Sequence, residues 1–412
     1  MGINTSREQS IREVLKDEPA FRGNQAVSAL FQHEFSSWDE VSSLPKTLRE
    51  RLKADIPWST LSQETVLGGK KADTWKALLR AADGARIETV LMTNRRDTWT
   101  VCVSSQVGCA MNCSFCATGK MGFTRNLTVD EIVDQVRFWV NFLKGKPDFR
   151  QDITNIVYMG MGEPLANYDH VKRSLGILTG TMGIGMTRIT VSTVGLVPML
   201  EVLLADETWP PVRLAVSLHS ANPGTRKDIM PTSYDEFLAT LAGWAEKYFD
   251  KFDTNRRHLT FEYVLLAGVN DTEKHANALV RFARRVGKVK VNLIPYNYTP
   301  HLLSDKPSVA MRRSRETASL SGDASQKHSS EDGAGYTTGE YRKSSEEASQ
   351  AFQDILVRAG ITATRRRTMG DDIAAACGQL AAVTERGTNE KDVATEPSGQ
   401  QRPYLHGRVD GV

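Results

Sequence analysis

Six short segments rich in β-branched residues alternate with amphipathic helical segments from about residue 86 onward. The predicted strands cover residues 101–104, 153–159, 189–193, 214–218, 259–265 and 289–294, and the predicted helices cover 129–144, 170–178, 234–248 and 273–286. Repeated strand-then-helix units require parallel strands joined by right-handed crossovers. Six strands are fewer than the eight of a closed barrel. The pattern therefore predicts an α/β fold, either a partial (β/α)6 barrel or an open doubly wound sheet.

The segments outside this pattern divide the chain further. Residues 1–85 are predicted to form a small N-terminal helical domain, with helices at 6–15, 24–35 and 46–54 and no strand. The core is predicted to span 86–383. Residues 304–345 are rich in Ser, Gly and charge, so we expect a disordered insertion there, and residues 384–412 a disordered tail. A helix at 348–359 and a short strand at 361–364 lie between them.

The N-terminal helices carry several basic side chains, namely Arg22, Lys46, Arg49, Arg51 and Lys53. They indicate a solvated helical cap or an RNA-contacting module with equal weight, because they are only moderately clustered. The net charge of +3 favours no class of partner. No apolar run approaches the roughly 18 residues of a membrane span, and no secretory signal is visible. We therefore expect a soluble, cytoplasmic protein without a membrane partner.

Polar residues follow successive predicted strands at their carboxyl ends. They are Gly162 with Glu163, Ser192, Ser217 with His219, and Asn297. In both candidate folds the carboxyl edge of the parallel strands is where ligands bind. A single Ser or Asn at a strand end often only caps the next helix, but four successive strand ends with such groups favour a binding site.

The five cysteines are unevenly distributed, and Cys109, Cys113 and Cys116 form a C-x₃-C-x₂-C motif. Three thiolates on one loop can hold zinc or an iron-sulfur cluster. A structural zinc site needs four ligands, and no further Cys or His stands nearby. The spacing favours a [4Fe-4S] cluster with one iron left open to substrate. By themselves, Cys102 and Cys377 are compatible with simple packing.

Beyond the cysteine motif, several blocks resemble the RlmN/Cfr family of radical S-adenosylmethionine (SAM) RNA adenosine methyltransferases. These blocks are CVSSQVGC at 102–109, GFTRNL at 122–127, MGMGEP at 159–164, SLH at 217–219, NLIPYN at 292–297 and GDDIAAACGQL at 370–380. A further block, PAFRGNQ at 19–25, extends the likeness into the N-terminal helices. The resemblance implies a partial (β/α)6 radical SAM barrel. The segment 304–345 is longer than the loop that the family has there.

The resemblance implies one [4Fe-4S] cluster on Cys109, Cys113 and Cys116, and two SAM molecules per turnover. Cys377 would first be methylated by one SAM. A 5′-deoxyadenosyl radical from the second SAM would then activate that methyl group for addition to the electron-poor adenine ring. Cys102 would release the product through a transient disulfide with Cys377, and Glu88 would accept the ring proton. The family's SAM contacts correspond to Gly162, Glu163, Ser192, Ser217, Leu218, His219 and Asn297.

The expected product is 2-methyladenosine in the peptidyl-transferase region of 23S rRNA and beside the anticodon of certain tRNAs. The N-terminal helices, block 19–25 and residues 86–90 are more similar to the C2-methylating branch of the family than to the C8-methylating, Cfr-type branch. Expected partners are 23S rRNA, tRNA and a one-electron donor such as flavodoxin, with the protein itself a monomer. The alternatives are C8 methylation, a radical SAM enzyme with another substrate, and a zinc-stabilised RNA-binding protein without catalytic activity.

Overall fold

Three helices and then three antiparallel strands open the described part of the chain. The structure is a computed structural model that describes residues 6–32, 35–94, 96, 98–252, 258–298 and 341–381. The three predicted N-terminal helices are present, as α1 (Arg7–Val14), α2 (Ala20–Phe31) and α3 (Lys46–Asp55), but α2 lies four residues before its predicted range of 24–35. They are followed by a meander of β1 (Leu61–Gly68), β2 (Thr74–Ala81) and β3 (Arg86–Thr93).

The expectation that no strand precedes residue 86 was therefore wrong. Strand β1 is only partly buried, so its apolar and polar residues do not alternate cleanly. Strand β2 contains Ala, Leu, Lys and Arg, which are good helix formers, but almost all of its residues are buried between β1 and β3. Tertiary pairing overrides local propensity in this segment.

A parallel sheet continues from the meander. The main strands are β4 (Trp99–Cys102), β7 (Ile153–Tyr158), β8 (Ile189–Thr193), β9 (Arg213–Ser217), β10 (Leu259–Leu265), β11 (Val289–Pro295) and β12 (Thr362–Arg365). These seven strands are parallel to one another, and β4 joins the meander by pairing antiparallel with β3. The complete order is β1-β2-β3-β4-β7-β8-β9-β10-β11-β12. The remaining strands, β5 (Gln106–Gly108) and β6 (Phe123–Asn126), form a separate antiparallel pair. The six predicted barrel strands are thus confirmed, and β12 adds a seventh to an open sheet.

Helices connect the parallel strands. They are α4 (Ala117–Met121), α5 (Val129–Lys144), α6 (Tyr168–Gly176), α7 (Val197–Ala205), α8 (Pro223–Ile229), α9 (Phe237–Lys251), α10 (Glu273–Val286) and α11 (Glu346–Arg358). Helix α5 begins at a capping box in which Thr128 and Glu131 satisfy each other's backbone N–H groups. None of the helices in the described ranges is long and apolar enough to span a bilayer.

A buried ionic cluster joins α1 to α5, and we call it the N-terminal seam. Arg7 donates to Asp134 at 2.6 Å and pairs with Asp130 at 3.1 Å, while Arg137 also pairs with Asp134. All four side chains are almost completely buried. Burial alone would raise the pKa of Asp134, but Arg7 and Arg137 lower it to about 2. The seam therefore holds the N-terminal helices to the core through balanced charges.

Two predicted segments fall largely or wholly outside the described residues. The predicted tail 384–412 lies outside them, as does the predicted insertion 304–345 up to residue 340. The last part of that predicted insertion is described, and its assignment to the insertion was wrong. Lys343 pairs with Leu266 in an isolated β-bridge, Arg342 accepts from Ala267 N at 2.9 Å, and Ser345 caps α11. These backbone contacts tie residues 342–345 to the core.

Candidate active site

The three motif cysteines lie on a loop that the β5–β6 pair closes at its base. Cys109 N donates to Gly122 O at 2.9 Å across this pair. Gly119 packs against the loop so closely that an added Cβ would lie 3.0 Å from Cys113 N. Ser114 N donates to Ile229 O at 3.0 Å, which fixes the far side of the loop to α8. The loop is therefore held at both ends before any ligand binds.

The three thiols line one cavity of about 930 Å³, measured with its open mouth, at the carboxyl edge of the strands. Burial raises the pKa of Cys109 to about 12 and that of Cys113 further, and the neighbouring thiols add to the shift of Cys113. These thiols therefore stay protonated in the empty site, and binding of a metal centre displaces their protons. Among the described residues, no three His, Cys, Asp or Glu side chains surround the position of one metal ion. A cubane cluster binds each thiolate at a different iron, so thiols spaced around a cavity fit it.

A buried guanidinium lies beside the cysteine loop. Arg226, 2% exposed, donates to Leu218 O at 3.1 Å and to Val194 O at 2.8 Å, and it stacks on the ring of Phe237 at 3.5 Å. Burial lowers the pKa of Arg226 to about 10, and the largest opposing influence is the charge of Cys113. No carboxylate of the described residues forms an ion pair with Arg226. The cation is thus placed to balance the charge of metal-bound thiolates.

Glu163 lies at the end of β7 on the wall of the same cavity. Its Oε1 accepts from Leu165 N at 3.0 Å and its Oε2 accepts from Val194 N at 2.8 Å. Burial raises the pKa of Glu163 to about 7, and the Thr193 side chain and these backbone donors only partly oppose the shift. The preceding Gly162 has a φ of +100°, and an added Cβ would lie 2.5 Å from Gln106 Cβ. Only glycine fits there, which explains the Gly-Glu pair.

The other SAM contacts expected from the sequence occupy different places. Ser192 and Ser217 both line the cavity, with their hydroxyls 3.4 Å apart. His219 also lines it at an unusual φ of +55°, and its Nδ1 accepts from Val264 N at 3.0 Å. Burial lowers the pKa of His219 to about 3, so the ring is neutral. Leu218 is buried and outside the lining.

Sequence reasoning missed Glu262 on β10. This side chain is 3% exposed and lines the cavity with Ser192 and Ser217. Its Oε1 accepts from Asn292 and from Arg366, both at 2.9 Å. A charged residue in the middle of the otherwise apolar run of β10 is the signal that could have found it, because such residues are rarely buried without a role.

A second cavity adjoins the first and contains the remaining cysteines. Its lining includes Cys102, Cys377, Asn297 and Arg366, and Cys377 lines both cavities. All five cysteines are free thiols. Burial and the nearby Cys377 raise the pKa of Cys102 to about 12. Asn297 donates to Cys377 O at 3.3 Å and so fixes the loop that carries this thiol.

Glu88 lies on β3, outside the linings of both cavities. Its carboxylate pairs with Lys76 at 2.9 Å and accepts from Ala381 N at 2.8 Å. Lys76 also donates to Ala374 O at 3.2 Å. The Lys76–Glu88 pair therefore contacts the Cys377 loop on both sides of that cysteine.

Comparisons with known proteins agree with this geometry. The radical SAM superfamily matches residues 103–279. A radical SAM methyltransferase from Sphaerobacter thermophilus has a crystal structure that is 36% identical, with a TM-score of 0.76, covering 93% of this chain and 100% of that one. A dual-specificity RNA methyltransferase RlmN from Desulfotalea psychrophila is 37% identical over 389 residues, which are 92% of this chain and 94% of the relative.

The fold and the site define a radical SAM enzyme, and SAM and a [4Fe-4S] cluster follow from that class. Within the class, the chain belongs to the RlmN family of RNA methyltransferases. The alternative of a zinc-stabilised RNA-binding protein without catalytic activity is thereby overturned.

Proposed function

We propose that this enzyme methylates C2 of an adenosine in 23S rRNA and of an adenosine beside the anticodon of tRNAs, with Cys377 as the methyl carrier. The observation that carries the proposal is the position of Cys377 between the two cavities. A carrier must meet the methyl donor on one side and the target base on the other. Family membership supports the RNA substrate, since the relative from Desulfotalea psychrophila is a dual-specificity enzyme.

The protein's own residues would divide the work as follows. Cys109, Cys113 and Cys116 would hold the cluster, and Glu163 would accept from the ammonium group of SAM. The cluster and SAM, when bound, supply the one-electron chemistry that activates the methyl group on Cys377. The second cavity would receive the adenine, and Arg367 on its wall would favour an anionic RNA strand.

Cys102 would complete the reaction. It lines the second cavity with Cys377. The Cys102 thiol would lose its proton, and its sulfur would bond to the carrier sulfur while the bond between that sulfur and the methylene carbon breaks. The electron pair goes to that carbon, which takes up a proton and becomes the product methyl group. The result is a transient disulfide between Cys102 and Cys377.

Glu88 is proposed to accept the ring proton, but only after a local movement. Its carboxylate is held by Lys76 and Ala381, so the segment after Cys377 must shift to bring it to the base. Glu88→Gln is then expected to allow methylation of Cys377 and to slow loss of the ring proton. Accumulation of the protein–RNA adduct, detected on denaturing gels, would support this role.

Product analysis tests the proposal directly. Anaerobically purified enzyme with a reconstituted cluster would be incubated with an unmodified 23S rRNA fragment, tRNA, SAM and a flavodoxin reducing system. Digestion to nucleosides and chromatography should show 2-methyladenosine from both substrates. Predominant 8-methyladenosine would move the enzyme to the other branch of the family, and neither product from a protein with an intact cluster would overturn the substrate assignment.

Substitution of Cys377 and substitution of Cys102 should stop the reaction at different steps. Cys377→Ala is expected to prevent methylation of the carrier. Intact-protein mass spectrometry should show a mass increase of about one methyl group in the wild type after incubation with SAM, and no increase in the variant. Cys102→Ala should load, react and then remain covalently attached to RNA. If both variants turned over like the wild type, their roles would be limited to packing.

A further inference from the structure

A row of polar side chains crosses four neighbouring parallel strands below the carboxyl edge. Ser217 on β9 is the register partner of Glu262 on β10, and Glu262 is the partner of Asn292 on β11. Ser192 on β8 reaches Ser217 through its hydroxyl at 3.4 Å. Glu262 is thus the only carboxylate among these four side chains, and it lies next to the two serines expected to contact SAM.

The two carboxylate oxygens of Glu262 differ in their surroundings. Oε1 accepts from both Asn292 and Arg366, whereas Oε2 is buried and has no hydrogen-bond partner among the described residues. A buried acceptor without a partner destabilises the folded chain. The side chain is 3% exposed and forms part of the wall of the first cavity. A ligand donor in that cavity would supply the missing partner.

The charge around each cavity carboxylate indicates which ligand group it accepts. Glu163 accepts from neutral donors and forms no ion pair with the described cations, so an ammonium group there would meet no competing cation. Glu262 is already neutralised by Arg366 at 2.9 Å, so a second cation gains little there. A neutral O–H donor fits it better, and carboxylates commonly accept from ribose hydroxyls at nucleotide sites.

We propose that Glu262 is an additional SAM-binding residue whose Oε2 accepts from the ribose hydroxyls of the nucleoside. The inference deepens the proposed function and rests on SAM binding in the first cavity. Arg366 and Asn292 act as positioning residues, because they hold Oε1 and thereby turn Oε2 towards the ligand.

Binding to the cluster-loaded protein tests this assignment without turnover. The probes are S-adenosylhomocysteine and its 2′,3′-dideoxy derivative, with Kd measured by calorimetry. Wild type should prefer the natural ribose by about tenfold or more, since a hydrogen bond to a charged group contributes on that order. Glu262→Gln should bring the two Kd values within about twofold of each other. Glu262→Asp keeps a negative charge opposite Arg366, but its side chain is one methylene shorter and would not reach the ribose. This variant should therefore also lose the preference for the natural ribose.

The matched control is Glu201→Gln, which makes the same carboxylate-to-amide change at a pair outside both cavity linings, where Glu201 faces Lys247 at 2.9 Å, and it should keep the ribose preference. Equal binding of both probes by wild type, or an unchanged preference in both Glu262 variants, would overturn the assignment. This binding measurement contains no RNA. Its result would therefore stand even if product analysis found no 2-methyladenosine.

Discussion

The N-terminal seam and the region of the first cavity both bury charged side chains, but they differ in whether those charges are paired. In the seam, Arg7 and Arg137 are paired with Asp130 and Asp134. At the cavity, two buried charged groups lack such partners among the described residues: Glu163 on the wall accepts from neutral donors, and Arg226 beside the cysteine loop donates to carbonyl groups and stacks on a ring. Balanced burial holds elements together, whereas unbalanced burial leaves free energy for a ligand to recover.

The difference also has opposite consequences for pH. The pKa of Asp134 is lowered to about 2, so its contribution to stability is present above about pH 3.8 and is lost as the pH falls through about 2. The pKa of Glu163 is raised to about 7, so its contribution is complete below about pH 4.5 and is lost as the pH rises through about 7. The stability contributed by the seam is thus lost in strong acid, whereas the stability contributed by the ligand-free cavity is lost as the pH rises past neutrality.

The largest expected effect comes from removing a thiol from the cavity. Cys113→Ala should abolish both iron binding and SAM-dependent formation of 5′-deoxyadenosine, because the cluster loses one of its three ligands. The wild-type protein, purified without oxygen, should be brown with about four irons per chain. Cys102→Ala is the control, since it lies in the second cavity and should keep its iron. Stoichiometric zinc in wild type would contradict a cluster.

Breaking the seam should produce a large loss of stability with little change at the cavity. Asp134→Asn leaves Arg7 and Arg137 without their shared counter-charge, so the free energy of unfolding should fall by about 3–5 kcal/mol. Denaturant titration at several pH values would show this loss, and the acid-dependent part should also disappear. A parallel loss of S-adenosylhomocysteine affinity at low temperature would contradict the separation of the two regions.

Glu163→Gln tests whether the unpaired carboxyl of the cavity makes stability depend on pH. Wild-type protein without SAM should lose stability, on the order of 2 kcal/mol, between about pH 5 and pH 8 as this carboxyl ionises. The variant should show a flatter dependence whatever its absolute stability, because an amide does not titrate. Its affinity for SAM should fall at the same time. An equal slope in both proteins would show that Glu163 does not titrate in this range.

The smallest effect is expected at an exposed ion pair. Lys247 and Glu201 join α9 to α7 at 2.9 Å, with side chains 61% and 44% exposed. Lys247→Ala should lower the free energy of unfolding by less than about 0.5 kcal/mol. It serves as the surface control for Asp134→Asn in the same denaturant titration. A loss similar to that of the seam variant would show that burial is not what distinguishes these pairs.

Much of the parallel sheet could be predicted from the sequence, because strands covered on both faces leave runs of β-branched residues. Strands β1 and β2 could not, since one is half exposed and the other is composed of helix formers. The cysteine loop could be located from its C-x₃-C-x₂-C spacing. The strand-end residues that line the first cavity could be located because ligand edges recur at fixed places in such folds. The Lys76–Glu88 pair and Oε2 of Glu262 could not, because they depend on contacts between segments far apart in the chain.

The basic residues of the N-terminal helices show a similar limit. Arg22 donates to Gln25 and Ser43, Arg51 pairs with Glu18, and Lys53 pairs with Asp39. These contacts describe their surroundings without testing a role in RNA binding, so that role stays a prediction. The domain boundary at residue 85 also stays a prediction.

The buried guanidinium of Arg226 links cofactor loading to the lifetime of the protein. A cation that is 2% exposed and lacks a carboxylate partner among the described residues destabilises the empty chain until thiolate charge arrives. Iron-sulfur insertion then acts as a ligand that binds only the folded state, and the loaded chain opens less often. Proteases that sample open chains would remove the unloaded form first. In a cell short of iron, the abundance of this enzyme should therefore fall with cluster supply.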